Sequence, residues 1–436
     1  MFGDRRLNDC LDRLAGSHLQ ASQALASGIH AVPDASSSFA STMAGYRFLR
    51  NARVTLPALA RVLIEEVRPE VETACDQYAL LVHDWSQLMY PNHQRKKDRV
   101  MLSSKHEPEG YEILAGLLVS DRDGLPLAPV SLELRASDGV HSTRSAKPHP
   151  AESPLDALQP VMEHLEREKF ARPLVHVIDA EADSVGHYRD WSRAGLLFLV
   201  RADDRIVTCE GQEQRCSAIQ QRLREQRAFH HTRVIRYRGK KAEQWVAEVP
   251  VQLTRAAQRN RPGVGDRSRI PGSPLSLRLV IVEVRDAENN VLATWYLLSN
   301  VPAEVEAARI ALWYYWRWSI ESFFKLLKTA GMNLESWQQT TAAAIARRLL
   351  VAGMACVTVW RLARSTHPQA DRARRLLVRL SGRQMKRGRP FTLPAMLAGM
   401  WTLLAMLETL EHYSLDEIKQ LAELCLPNYS TPPPER

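Results

Sequence analysis

Apolar residues recur along this chain in two rhythms, and the switches between them divide it. Residues 1–65, rich in Ala, Leu and Arg, follow a helical period with a Ser-rich break at Ser36-Ser37-Ser38. From about 66 to 205 the expected order is helix, strand, hairpin, helix, strand, helix, strand. Gln77 to Val82 and Leu174 to Ile178 read as buried strands, and Leu196 to Val200 as a third. Tyr111 to Val119 and Pro129 to Arg135 flank Asp123-Gly124, a favoured hairpin turn pair. Between 206 and 300 the runs Thr232 to Tyr237, Gln244 to Leu253, Ser276 to Val284 and Val291 to Leu298 predict a β-rich stretch. A polar, Gly/Pro-rich loop from Ala256 to Pro274 interrupts it. Beyond 340 the pattern is helical. Its longest apolar run, Leu349 to Trp360, is too short for a bilayer span and is expected to be a buried core helix. The last residues, Ser-Thr-Pro-Pro-Pro-Glu-Arg, have a composition expected to stay disordered.

One segment carries chemistry on this pattern. Ala311 to Gly331 has neither proline nor internal glycine, so a single helix is expected there. Tyr314, Arg317, Glu321 and Lys328 stand three, four and seven residues apart, which places them within roughly 60° of helical arc. Ion pairing of Glu321 with Lys325 and Arg317 at i,i+4 spacing would explain part of this stripe without any function.

Two further segments change the weighting. The strand ending at Val82 runs into His83-Asp84-Trp85-Ser86, and the one ending at Ile178 runs into Asp179-Ala180-Glu181-Ala182-Asp183-Ser184. Each places an acid where an apolar strand gives out. A strand-end Asp often serves only as a turn former or cap, and Asp183 or Ser184 is expected to cap the next helix. Two strand-end acids followed by a helical Glu, however, can bring three carboxylates together, a costly arrangement unless a divalent cation lies between them. Metal-assisted phosphoryl transfer has this requirement: hard oxygen ligands holding Mg²⁺ or Mn²⁺.

Charge agrees with a polyanionic partner. The chain has 58 Lys plus Arg against 49 Asp plus Glu, a formal net charge of +9 and a pI near 9.3. The positive charge clusters at His93-Gln94-Arg95-Lys96-Lys97 and in Arg361 to Arg389, where ten Lys or Arg face the single acid Asp371. A solvated helix face explains part of the second run, and phosphate contact is expected in the loop Lys386-Arg387-Gly388-Arg389-Pro390. The six cysteines show no Cys-x-x-Cys pair and no zinc spacing, and Met-Phe-Gly-Asp-Arg-Arg begins the chain without an apolar signal core. Both features point to a reduced, cytoplasmic protein with no membrane partner.

Tyr314-x2-Arg317-x3-Glu321-x6-Lys328 resembles, at every spacing, the signature of the Tyr-Arg-Glu-Lys branch of DDE transposases from bacterial cut-and-paste insertion sequences of the insertion sequence four family. The resemblance covers most of the chain. Asp84, Asp179 and Glu321 stand at the family's catalytic, metal-binding acids, and Arg201 stands at a basic residue near the active site. Trp295, in Thr294-Trp295-Tyr296-Leu297-Leu298-Ser299-Asn300, resembles the tryptophan on which a flipped base stacks; without the family match a core tryptophan is the better reading. Phe2-Gly3-Asp4-Arg5-Arg6-Leu7 and Gly45-Tyr46-Arg47-Phe48-Leu49-Arg50-Asn51 resemble its N-terminal DNA-binding region. Trp85 and Ser86 follow the first acid where relatives often have Thr, and Ala180 follows the second where many have Arg; neither difference removes a ligand.

The resemblance implies an α/β fold: a ribonuclease H-like mixed-sheet catalytic core with a β-rich insertion, flanked by N-terminal and C-terminal helical regions. The expected divisions are a DNA-binding region (1–65), the first part of the core (66–205), the insertion (206–300), the last core helix (301–340) and a C-terminal helical region (341–436). Met396 to Leu410 is the candidate dimer contact. The implied activity is metal-dependent DNA strand cleavage and transfer. Asp84, Asp179 and Glu321 would bind two Mg²⁺, with Mn²⁺ as a substitute. Tyr314, Arg317, Lys328, Arg201, Trp295, Arg47 and Arg50 would contact DNA, and the partners would be terminal repeats, target DNA and a second copy of the chain. A ribonuclease H-type nuclease and a non-catalytic DNA-binding regulator remain as alternatives.

Overall fold

A computed structural model describes residues 3–20, 35–102, 109–258, 269–330, 332–388 and 390–425. Its helices are α1 (Arg5–Gln20), α2 (Ala35–Arg50), α3 (Leu56–Ala74), α4 (Leu158–Glu166), α5 (Val185–Arg193), α6 (Cys216–Glu225), α7 (Ala307–Trp316) and α8 (Trp318–Lys325), followed by α9 (Ala342–Arg364), α10 (Ala370–Leu380), α11 (Leu393–His412) and α12 (Leu415–Cys425). The strands begin with β1 (Ala79–Met89), β2 (Val100–Met101), β3 (Glu109–Ser120), β4 (Pro126–Ala136), β5 (Gly139–Ser142), β6 (Leu174–Ile178) and β7 (Phe198–Ala202). They continue with β8 (Ile206–Cys209), β9 (Gln212–Arg215), β10 (His230–Tyr237), β11 (Lys240–Leu253), β12 (Ala257–Gln258), β13 (Arg269–Ile270), β14 (Leu275–Arg285) and β15 (Val291–Ser299). Two compact units result, one holding 52–325 and 339–353, the other 2–51, 326–338 and 354–436.

The first unit is a mixed α/β structure built on one large sheet. Its strand order is β5-β4-β3-β1-β6-β7-β15-β14-β11-β8-β9, with β10 on β11 and β2 on β3. Pairing is antiparallel except for β1 with β6 and β6 with β7. The strands between 206 and 300 extend this sheet through β15, which pairs antiparallel with β7. Sequence patterning missed β8, β9 and α6: the two strands are four residues each, too short to show a period, and α6 is mostly polar.

β1 explains where the first acid sits. Ala79 to His83 are buried because β3 flanks them on one side and β6 on the other. β6 stops at Ile178, the partner of His83, while β3 continues alongside and pairs Asp84 with Ala115. Asp84 therefore lies inside β1, contrary to the expected strand end, yet it is the first residue past the β6 partner. Asp121, fully buried, accepts hydrogen bonds from the backbone N–H groups of Asp76, Gln77 and Tyr78 at 2.6, 3.1 and 3.1 Å, anchoring the approach to β1.

The expected single helix from Ala311 to Gly331 is not continuous. α7 ends at Trp316, Arg317 turns, α8 runs to Lys325, and a π-helical turn covers Leu326–Ala330; Gly331 lies outside the described residues. The β3–β4 hairpin contacts both sides of this joint. Gly124 (φ +72°) has no side chain where the Trp316 ring passes, and its carbonyl accepts a hydrogen bond from Ser319 Oγ at 3.1 Å.

In the second unit, Ser36, Ser37 and Ser38 fall inside α2 rather than forming a break. α11 packs on α1 and α10, and Gly399 lies so close to the Leu377 carbonyl that no side chain fits. Met396, Leu397 and Trp401 are consequently buried, which removes them from the proposed dimer surface; Met406, Leu407 and Leu410 remain exposed.

The run Leu349 to Trp360 belongs to the 23-residue α9, and α9 and α11 are each long and apolar enough to cross a membrane. The expectation that this run is too short is thereby corrected; α9 reads as a core helix because most of it is buried. Phe2, Arg389 and the terminal Ser-Thr-Pro-Pro-Pro-Glu-Arg lie outside the described residues.

Candidate active site

β1, β6 and α8 supply one carboxylate each, and Arg317 lies where the three converge. Its Nη1 is 3.2 Å from Asp84 Oδ2, and its Nη2 is 3.1 Å from Asp179 Oδ2 and 2.7 Å from Glu321 Oε1. Arg317 is only 4% exposed, whereas the Glu321 side chain is 47% exposed, so the cluster opens to solvent on the Glu321 side. Three segments separated by 95 and 142 residues thus share one guanidinium.

Each acid is also held by its own backbone or neighbours. Asp84 Oδ1 accepts from the Trp85 N–H at 3.0 Å. Asp179 Oδ1 accepts from the Ala180 N–H at 2.8 Å as β6 turns into a short 3₁₀ segment, and from the Tyr314 hydroxyl at 2.9 Å. Arg201, on β7, brings Nη1 to 3.5 Å from Asp179 Oδ1 while remaining 41% exposed. Burial is the largest influence on both Asp residues. It pushes Asp84 up to about 6 against the pull of Arg317, with Asp179 and Glu321 adding to the rise. It also acts upward on Asp179, but Arg317, the Ala180 N–H, Tyr314 and Arg201 together hold that carboxyl below its ordinary range.

A buried imidazole pair ties the two acid-bearing strands together. His83, beside Asp84, and His176, three residues before Asp179, share a hydrogen bond of 2.9 Å between Nε2 and Nδ1, and both rings are fully buried. Burial pushes both below the ordinary histidine range, which favours neutral rings suited to a single shared proton bond. Sequence reading passed over the pair, although each histidine stands just before an acid.

Several residues expected at DNA are placed otherwise. Arg317 and Tyr314, expected at phosphates, are both buried against the carboxylates. Trp295 is 6% exposed and meets the Tyr314 ring edge-on at 5.3 Å, so it presents no open face to a base. It is a core residue supporting Tyr314. Lys328 lies in the π turn of the second unit, 4.0 Å from Glu335. Arg47 and Arg50 are exposed in the last turn of α2. Of the 93–97 run, Lys96 is buried and donates to the Gln339 carbonyl at 2.7 Å, with burial lowering it to about 8. Ser184 occupies the N-cap of α5, and Asp183 instead accepts from Tyr188 and pairs with Arg205.

The donors fit a hard divalent cation by chemistry and by charge. Three carboxylates carry a formal charge of −3 against Arg317 and Arg201, and Asp179 and Glu321 add to the rise that burial gives Asp84. Among the described residues, no three such side chains already form a cage for a metal ion, because the guanidinium stands between them.

No curated protein matches the chain. The cryo-EM structure of a piggyBac transposase synaptic complex with hairpin DNA is similar at a TM-score of 0.36 and 8% identity, over 83% of this chain and 59% of that one. The chain thus spans less than two thirds of that protein's length. Residues 143–358, just under half of the chain and including Asp179 and Glu321, match the family model described as transposase DDE domain, and the match supports a DDE transposase.

Proposed function

We propose that this chain is a DDE transposase of the Tyr-Arg-Glu-Lys branch, with a ribonuclease H-like core, that cuts and joins DNA at the terminal repeats of an insertion sequence. The observation that carries the reading is the convergence of Asp84, Asp179 and Glu321 on one guanidinium, because Asp84 lies outside the matched span and still meets the two acids inside it. The strand order β4-β3-β1-β6-β7, antiparallel then parallel, supports the core assignment.

Asp84, Asp179 and Glu321 would hold the divalent cations, two Mg²⁺ or Mn²⁺. Bound there, they supply the positive charge for in-line displacement at phosphorus. Tyr314 and the Ala180 N–H fix the orientation of Asp179. Arg317 keeps the three carboxylates together, and half-exposed Arg201 is the cation placed to meet a phosphate beside Asp179. If the cut end closes into a hairpin, as in the enzymes this chain resembles, a base must leave the stack, and it needs an aromatic face other than that of buried Trp295. Trp318, 42% exposed and next to Arg317, offers one. A homodimer on DNA in the cytoplasm completes the proposal.

The test is Mg²⁺-dependent cleavage of a duplex carrying the element's own terminal repeat beside flanking DNA, comparing wild type with Glu321→Ala. Release and joining of a 3′-hydroxyl end by wild type alone is the expected result. Binding without cleavage by either protein would favour a DNA-binding regulator, and cleavage without joining a nuclease.

A further inference from the structure

We propose that the β10–β11 hairpin and the α7 face beneath it form a DNA backbone site, holding phosphates close to the bond placed at the carboxylates. This inference rests on the transposase reading for its ligand and on separate residues for its geometry.

Residues 230–241 contain Arg233, Arg236, Arg238, Lys240 and Lys241 and no acid. Arg233, Arg236, Lys241 and Tyr315 line a cavity of about 540 Å³ that has no carboxylate among its lining residues. Arg236, Arg238, Lys240 and Lys241 are exposed, so their charge faces solvent rather than a protein partner. Arg233 donates through Nη2 to the Ala308 carbonyl at 2.8 Å, but its buried Nε has no hydrogen-bond partner. Burial and the nearby Arg309 both disfavour its charge, so an anion in the cavity would relieve it.

Basic residues on an edge strand can also serve only to prevent unwanted strand pairing, and β10 is such an edge. Two features exceed that purpose. Edge protection needs no cavity lined by a guanidinium that carries a buried, unpaired nitrogen. Nor does it need Arg238 at φ +47° before Gly239 at φ +81°, a tight-turn position where Asn, Asp or Gly fits with less strain.

α7 links the cavity to the carboxylates. The Tyr315 hydroxyl donates to the Arg236 carbonyl at 3.0 Å, while its neighbour Tyr314 reaches Asp179. Between the two lies an aromatic step, with Tyr237 at the hairpin tip 6.5 Å from Trp318. Tyr315 and Glu321 stand only six residues apart in the chain, one on α7 and the other on α8, so the cavity and the carboxylates are carried by neighbouring turns.

The test measures binding of the full chain to a labelled DNA duplex across a salt series, for wild type, Arg236→Ala/Lys241→Ala and Arg236→Lys/Lys241→Arg. Mg²⁺-dependent end cleavage by wild type is scored separately. Loss of two phosphate contacts makes the slope of log affinity against log salt shallower by about 1.8, and the charge-conserving variant keeps the wild-type slope. An unchanged slope in the alanine variant overturns the site, even if wild type cleaves. The expected slope change without wild-type cleavage leaves the site standing and removes the transposase reading. Absence of DNA binding by wild type overturns both.

Discussion

The Arg317 guanidinium is shared by three carboxylates, so Arg317→Ala leaves those charges facing one another in a partly buried cluster. Removing one partner of a buried ion network costs about 3–5 kcal/mol. Urea unfolding in chelator should show a loss of this size, and added Mg²⁺ should restore part of it. Equal stability of variant and wild type would mean that the acids do not repel. Asp84 gives a second prediction with a definite sign. Its folded value, raised to about 6 from an ordinary 3.8, means that the folded state binds the proton more tightly than the unfolded chain. Stability from this group is therefore complete below the unfolded value and lost as pH rises through about 6, by roughly 2–3 kcal/mol. Asp84→Asn should remove that slope and melt higher than wild type near neutral pH without metal; an unchanged pH profile would contradict it. The sequence places Asp84 and Asp179 directly after apolar runs and Glu321 at helical spacing from Arg317, and these signals are local even though Asp84 proves to lie inside β1. It predicted the Arg317–Glu321 pair at i,i+4 but not the contacts of Arg317 with Asp84 and Asp179, nor that of Tyr314 with Asp179. Helical spacing fixes the direction of a side chain, and what it meets depends on strands more than a hundred residues away.

The break between α7 and α8 is an element-scale feature that no local signal announced, since the segment lacks proline and internal glycine. The β3–β4 turn packs against it on both sides. A Cβ on Gly124 would lie 2.4 Å from the Trp316 ring, and the residue sits at φ +72°. Gly124→Ala therefore combines backbone strain with a clash, costing roughly 2–4 kcal/mol. It should also displace the joint that aims Arg317, reducing cleavage more than DNA binding. Gly195→Ala is the matched control, because Gly195 has φ +73° with nothing within 4 Å of the added Cβ. Only the conformational cost of about 1 kcal/mol applies there. Equal losses in the two variants, measured by denaturant midpoint, would show that the contact with Trp316 does not matter. The same dependence on distant pairing hid the length of β1. Trp85 to Met89 are not an apolar run, and they form strand because β3 supplies partners on one side.

At the scale of the whole molecule, the order of β1, β3, β4, β6 and β7 was legible because each has an apolar run and the crossovers contain helices, whereas the short β2 and β5 were not. The fusion of the later strands to β7 through β15 was not legible, since nothing local in Val291–Ser299 names Leu199–Ala202 as its neighbour. Burial likewise narrows the dimer proposal. With Met396, Leu397 and Trp401 inside their own unit, the apolar surface left on α11 is Met406, Leu407 and Leu410, a single stripe at i, i+1 and i+4. Leu415, Leu421 and Leu424 on α12 are exposed as well. Apolar side chains exposed this densely on two consecutive helices mark a surface that gains by being covered. If a second copy covers it, Leu407→Glu/Leu410→Glu places two like charges from each protomer in the interface and should leave each chain folded. Sedimentation of the DNA-bound protein should then give two protomers per complex for wild type and one for the variant, with circular dichroism unchanged. Two protomers in both cases would place the dimer contact elsewhere.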